Sequence, residues 1–165
     1  MRFFIEKKWL PHRSRKAKIT TFVLHSTAGG SAVGSISWLK KIGLSYHYII
    51  ERDGSVHKLV PAGSVAFHAG KSVGPNGANV NNYSIGIAFA NLNDGEEKVT
   101  PAQIASAKKL IRDLVAVYPS ARWITTHRLI SWRRKTDPRN FDFESFTAGL
   151  GLEPWRQREE HPWSG

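Results

Sequence analysis

With 165 residues, 41% hydrophobic and 22% charged, the chain can bury one proper core but is too short for two ordinary domains. Cysteine is absent, which excludes disulfides and thiolate ligands and leaves His, Asp and Glu to hold any metal. A net charge of +11 and a pI near 10.2 favour a polyanionic partner, whether nucleic acid, anionic lipid or an anionic cell-wall polymer, without choosing among them.

The amino-terminal stretch is the most basic: seven Lys and Arg lie between Arg2 and Lys18, opposed only by Glu6. "MRFFIEKKWLPH" is no secretory leader, because charge interrupts it far short of an apolar core of roughly 7–15 residues. No run approaches the roughly 18 apolar residues of a membrane span. Synthesis in the cytoplasm is therefore expected, with any release to the periplasm or cell wall by a route the chain does not encode.

"ITTFVLH" (Ile19 to His25) is a β-branched apolar run before the loop "STAGGS", the pattern of a buried strand. "SAVGSISWLKKIG" predicts a helix, with Ser31 as N-cap and Gly43 as its stop. "SYHYIIERDGSVHKLV" predicts a hairpin of two alternating strands around Arg52-Asp53-Gly54. "KSVGPNGANVNN" reads as a long polar surface loop and "YSIGIAFAN" as another central strand.

"TPAQ" opens the best helix, with Thr100 as N-cap, Pro101 at the first helical position and Gln103 closing a capping box. Its apolar stripe is Ile104, Ala107, Ile111, Leu114, Val115 and Tyr118. "ARWITTH" is a strand that again ends at a histidine, and "EPWRQREEHPW" has no period, so irregular structure or a short packed helix is expected there. The fold class is thus α/β, a mixed sheet of about five strands flanked by helices.

His25 and His127 both end buried-looking strands, where α/β sheets gather their ligands. Asp137 stands ten residues after His127 and directly before Pro138. Two imidazoles and a carboxylate with a fourth position open is a catalytic zinc arrangement. Lys135, two residues before Asp137, shares its face if that segment is extended. His47, His57, His12 and His161 read as packing or exposed residues.

In this order the chain carries "VLHSTAGG", "SYHYIIERDGSVHKLV", "AFHAG", "NNYSIGIAFAN", "TPAQ" and "TTHRLISWRRKTDP", covering roughly Ile19 to Phe143. Together these resemble the zinc-dependent N-acetylmuramoyl-L-alanine amidases of the phage-lysozyme, muropeptide-recycling and peptidoglycan-recognition superfamily. The resemblance implies zinc (Zn2+) held by His25, His127 and Asp137, with Asp137 on a position that is cysteine in some members. It implies catalytic roles for Lys135, in the "KTDP" block, and Tyr46, and substrate contact at His68; Thr27 and Trp132 are further substrate-binding candidates.

One departure bears on the branch. Recycling members carry a glutamate on the strand after "SIGI", where this chain reads Ala88 and Phe89. The expected function is accordingly hydrolysis of the amide between N-acetylmuramic acid and L-alanine in peptidoglycan, as a phage-type endolysin. The domain expectation is one catalytic unit over 1–165, monomeric, with a basic segment at 1–18 and an irregular one at 150–165. Arg128, Arg133, Arg134 and Arg139 are expected to face anionic wall peptide or solvent, and an anionic membrane surface is a further contact for the basic charge. A cytoplasmic recycling amidase is the alternative, as is a non-catalytic peptidoglycan-binding module, against which the full ligand set and Lys135 argue. A nucleic-acid partner would rest on charge alone, since none of the usual nucleic-acid motifs is present.

Overall fold

The two most continuously apolar runs, TFVLHS and SIGIAF, become adjacent strands in the middle of a sheet, buried along their whole length. The computed structural model describes residues 1–157. In chain order its strands are β1 (Phe3–Ile5), β2 (His12–Arg13), β3 (Thr21–Ser26), β4 (Tyr48–Ile50), β5 (Val56–Lys58), β6 (Val65–Ala66), β7 (Val73–Gly74), β8 (Gly77–Ala78), β9 (Ser84–Phe89), β10 (Trp123–Thr126) and β11 (Glu153–Pro154). The helices are α1 (Ala32–Ile42), α2 (Pro101–Val117), α3 (His127–Ile130) and α4 (Phe143–Thr147), and a 3-10 turn covers Val80–Tyr83.

The main sheet runs β1-β5-β4-β9-β3-β10-β11, with every neighbouring pair parallel except the β4–β5 hairpin. The α/β class expected from the sequence is present, with seven strands in place of about five. The two extra strands are short, exposed edges, β1 and β11, in terminal segments without a readable period. His161 lies outside the described residues.

Pleat alternation sorts the central strands between two layers. Phe22, Leu24, Ile85, Ile87, Phe89 and Ile124 pack against α2 and α4, through Ala107, Ile111, Leu114, Phe143 and Phe146. Each such large side chain taken out of water contributes roughly 1.5–3 kcal/mol. The opposite face meets α1, where Ile49, Ala88 and Ala90 touch Ala32, Ile36 and Leu39. Because both faces are covered, Tyr48, Ile49 and Ile50 are all buried and the expected alternation of β4 is absent.

The helix signals read from the sequence hold. Ser31 caps α1 by accepting from Gly34 N, and Gly43 ends it at φ 74°. Thr100 and Gln103 form a capping box on α2, whose buried stripe also includes Leu110. Gln103 does more than cap: its side-chain amide donates to Ile50 O and Ala90 O, both at 3.0 Å, tying α2 to β4 and to the end of β9.

The basic amino-terminal segment is built into the fold. β1 adds to β5, β2 pairs with β6, and the Arg15 guanidinium donates to Ser64 O (2.7 Å), Ser84 O (2.8 Å) and Asn82 O (2.9 Å). Burial draws the Arg15 pKa down to about 10. Among the described residues no helix is long and apolar enough to cross a membrane.

Gln103→Ala should destabilise the protein by roughly 2–4 kcal/mol, because two buried carbonyls lose their donor together with half of the capping box. Thr100→Ala should cost about 1 kcal/mol. Urea unfolding checks both; equal losses for the two variants would contradict the tie between α2 and the sheet.

Candidate metal centre

Parallel register brings the two strand-end histidines together. β10 lies beside β3 with Thr126 opposite Leu24, so the next residues, His127 and His25, emerge side by side with ring centroids 4.6 Å apart. His127 opens α3, whose cap is Thr126 accepting from Leu129 N. After a turn at Ser131–Lys135, Asp137 returns to the same strand ends: Arg128 N donates to its carbonyl, and Ser26 N donates to its Oδ2 at 3.2 Å.

Asp137 Oδ1 lies 3.2 Å from His127 Nδ1 and Oδ2 lies 3.5 Å from His25 Nδ1. All three residues are buried, and one ligand atom from each fits within 4.8 Å of the others. Burial alone would raise the Asp137 pKa, but the close approach and charge of His127 and His25 outweigh it and hold the carboxyl well below the usual range. Burial, then the neighbouring His127, pulls His25 down to about 4, so that imidazole is neutral at neutral pH.

This donor set fits zinc. His127 Nε2 donates to Ala69 O at 3.0 Å, which leaves a lone pair on its Nδ1. His25 Nδ1 is buried without a hydrogen-bond partner, an orphan atom that a cation would satisfy. Bonds of 2.0–2.1 Å in a tetrahedral shell set ligand atoms about 3.3 Å apart, close to the 3.2 and 3.5 Å separations found here.

Beside the centre opens a cleft of about 200 Å³, lined by Leu44, Tyr46, Phe67, His127, Arg134 and Lys135 among others. Tyr46 places its ring 4.9 Å from that of His25, and burial, followed by the Asp137 carboxylate, raises its pKa above the ordinary tyrosine value. Lys135 is exposed at the cleft wall. A larger concavity of about 550 Å³, against Lys98, Lys108, Phe141 and Phe146, lies on the opposite face of the sheet and holds none of the three ligand candidates.

The other expected site residues fall less centrally. His68 lines the cleft but is buried behind His25, its Nδ1 2.9 Å from His25 Nε2 and its Nε2 3.2 Å from Ser84 Oγ. Thr27 accepts from Gly29 N and Asn91 N, holding the loop after β3. Trp132 is half-buried beneath the Arg133 guanidinium, 4.3 Å from its ring. Neither Thr27 nor Trp132 lines the cleft. His57 stacks on Phe4 and His12 meets Leu10 O, both away from the centre as expected.

Arg134 is exposed and lines the cleft, and it has a structural role besides. It donates to Ala69 O, Lys71 O and Ser131 Oγ, clamping the metal-side turn onto the AFHAG loop. Asn81, from the segment read as a polar loop, accepts from His68 N and Ala69 N and so positions the carbonyl that His127 uses. Gly86 also went unmarked in the sequence, although a glycine inside a strand signals close approach. A Cβ there would stand 2.6 Å from the His68 ring.

Two imidazoles and a carboxylate at the carboxyl ends of parallel strands, next to a cleft holding a tyrosine and a lysine, define an α/β protein with a group of side chains that could hold a metal ion. The chain belongs to the N-acetylmuramoyl-L-alanine amidase family, whose model matches residues 15–140. It is 36% identical over 113 residues to 1,6-anhydro-N-acetylmuramyl-L-alanine amidase AmpD of Salmonella typhimurium, covering 66% of this chain and 58% of that protein. AmpD of Escherichia coli K12 is also 36% identical, over 67% of this chain and 60% of that protein, so the chain spans less than two thirds of these curated relatives. Among solved structures, the amidase LysC from Clostridium intestinale URNW superposes with a TM-score of 0.74 at 27% identity, covering 93% of this chain and 99% of that one. AmiD from Escherichia coli, in complex with anhydro-N-acetylmuramic acid-L-Ala-D-gamma-Glu-L-Lys, gives a TM-score of 0.71 at 26% identity over 86% of this chain and 61% of that one.

Acid should unfold the metal-free protein early. His47 is buried, donates from Nε2 to Ser64 O and accepts from Gly86 N, and burial pulls its pKa from 6.5 to about 3. Below pH 6.5 the unfolded chain takes a proton that the folded one refuses, so stability present above 6.5 is lost as pH falls toward 3. The slope is about 1.4 kcal/mol per pH unit for each such group. Urea midpoints across that range should fall more steeply in the parent than in His47→Gln; a flat parent profile would contradict the neutral buried imidazole.

Proposed function

We propose that the protein is a zinc-dependent hydrolase of the amide joining N-acetylmuramic acid to L-alanine. The observation that carries the reading is the burial of His25, His127 and Asp137 with ligand atoms within 4.8 Å of one another, in a chain of this family. Zinc held there supplies Lewis acidity toward the scissile carbonyl and toward water.

The rest of the work falls to side chains. Asp137 keeps its charge, and the neutral His25 imidazole presents a lone pair where a cation is held. Tyr46, with its pKa raised, is a phenol at neutral pH and would relay to the departing amine the proton that the attacking water loses, ending as a phenol again. Lys135 stands at the cleft wall as a cation for the oxyanion that attack creates, a contribution whose loss costs on the order of 10²–10³ in rate. Leu39, Leu44 and Phe67 give the cleft apolar walls that limit water. Basic residues around it suit the free carboxylates of peptide stems.

Two settings compete. The AmpD relatives favour a soluble 1,6-anhydromuropeptide as substrate, and with it a cytoplasmic recycling role, so this stands ahead of the endolysin expected from the sequence. A specific observation keeps wall lysis as the second reading. Position 88 lies opposite His25 in the β3–β9 ladder, where recycling members are expected to place a glutamate, and here it is a buried alanine. The likeness to the Clostridium amidase is compatible with it. β1 and β11, at the two edges of one sheet, support a single catalytic domain.

Purified protein should be incubated with intact peptidoglycan and with soluble anhydromuropeptide, with and without chelator, and the products weighed by mass spectrometry. New L-alanine amino termini should appear only when zinc is present, and faster from the soluble substrate. Faster release from intact wall would move the setting to lysis, and no release from either would overturn the amidase reading. Lys135→Ala and Tyr46→Phe should each lower kcat by at least about 100-fold; unchanged turnover would remove that residue from the chemistry.

A further inference from the structure

We infer that His68 is a positioning residue, fixing the tautomer and ring orientation of His25 so that a lone pair, and not a proton, faces the metal centre. The inference rests on the zinc reading of the site and gives His68 a duty other than the substrate contact expected from the sequence.

Two nitrogens 2.9 Å apart, His25 Nε2 and His68 Nδ1, share one proton between them. If His68 donated, His25 would carry its own proton on Nδ1, 3.5 Å from Asp137 and without a hydrogen bond in a fully buried place. A buried donor left unmade costs about 1–3 kcal/mol. In the reverse arrangement His25 donates from Nε2, its Nδ1 lone pair points at Asp137 and His127, and His68 must hold its proton on Nε2. That proton has an acceptor waiting, Ser84 Oγ at 3.2 Å. The chain Ser84–His68–His25 therefore runs in one direction.

The ring is also held in place. Asn81 Oδ1 takes the His68 backbone N–H at 3.1 Å, and the ring lies flat on β9 over Gly86, where a Cβ would stand 2.6–2.8 Å from three ring atoms. Any larger residue at position 86 would push the ring off His25. His127 receives the matching service from a backbone carbonyl, Ala69 O, so each histidine has its far nitrogen engaged. Such outer partners of metal-ligating histidines commonly govern affinity by 10–100-fold.

Side chains that imitate one ring nitrogen at a time separate positioning from packing. Asn at position 68 places an acceptor near the Nδ1 position, facing His25, whereas Gln places its polar atoms near Nε2, facing Ser84, and Leu supplies neither. Zinc dissociation constants from competition with a chromogenic chelator should stay within a few-fold of the parent in His68→Asn and weaken by about 10–100-fold in His68→Gln and His68→Leu. A packing role gives the opposite order, with the smaller Asn worst. Nitrogen-15 imidazole spectra of the parent provide a readout that needs no variant to fold: His25 and His68 should both carry the proton on Nε2. A proton on His68 Nδ1, or equal zinc affinity in the Asn and Leu variants, would overturn the inference. A parent protein that binds no zinc would instead sink the zinc reading itself.

Discussion

A carboxylate held between two imidazoles, in a place water barely reaches, is the contact on which the rest of the molecule depends. Left alone, such burial would drive Asp137 to its protonated form. The approach of His127 and His25 reverses that preference, and Ser26 N adds one hydrogen bond to Oδ2. Because those partners come from the ends of β3 and β10, the sheet register becomes a chemical constraint. A slip of one residue between these strands would separate His25 from His127 and turn one of them to the wrong face.

The sheet divides its labour between its sides. Toward α2 and α4 it is closely apolar, with Phe22, Ile87, Phe89 and Ile124 fully buried. Toward α1 it carries Gly86, Ala88 and the histidines, small or polar residues that leave room for rings and a cleft. Stability and reactivity are thus assigned to opposite faces of the same strands. That is how a chain of this size holds several neutral buried imidazoles without losing its core. The arginine-rich turn serves the same end, since Arg134 ties it to the loop that supplies Ala69 O.

What could be read from the sequence follows from how local each signal is. Helix caps at Ser31, Thr100 and Gly43 were legible because a cap is a short-range bond between neighbours. His25, His127 and Asp137 were legible as candidates because strand ends and their spacing stand out, although their convergence is a property of register. The edge strands β1 and β11 were not legible: with two or three exposed residues they carry no period, and their partners lie dozens of residues away. Asn81, Arg134 and Arg15 act mainly through distant backbone groups, which no side-chain pattern reveals. Nor does composition separate the inward Arg15 from the arginines around it.

X-ray absorption at the zinc edge of the loaded protein tests the central claim most directly, because it reads the ligand set without relying on turnover. The account predicts two imidazole nitrogens and one carboxylate oxygen at about 2.0–2.2 Å, with one nitrogen lost in each of His25→Ala and His127→Ala and the oxygen lost in Asp137→Ala. A spectrum unchanged by all three substitutions would contradict it.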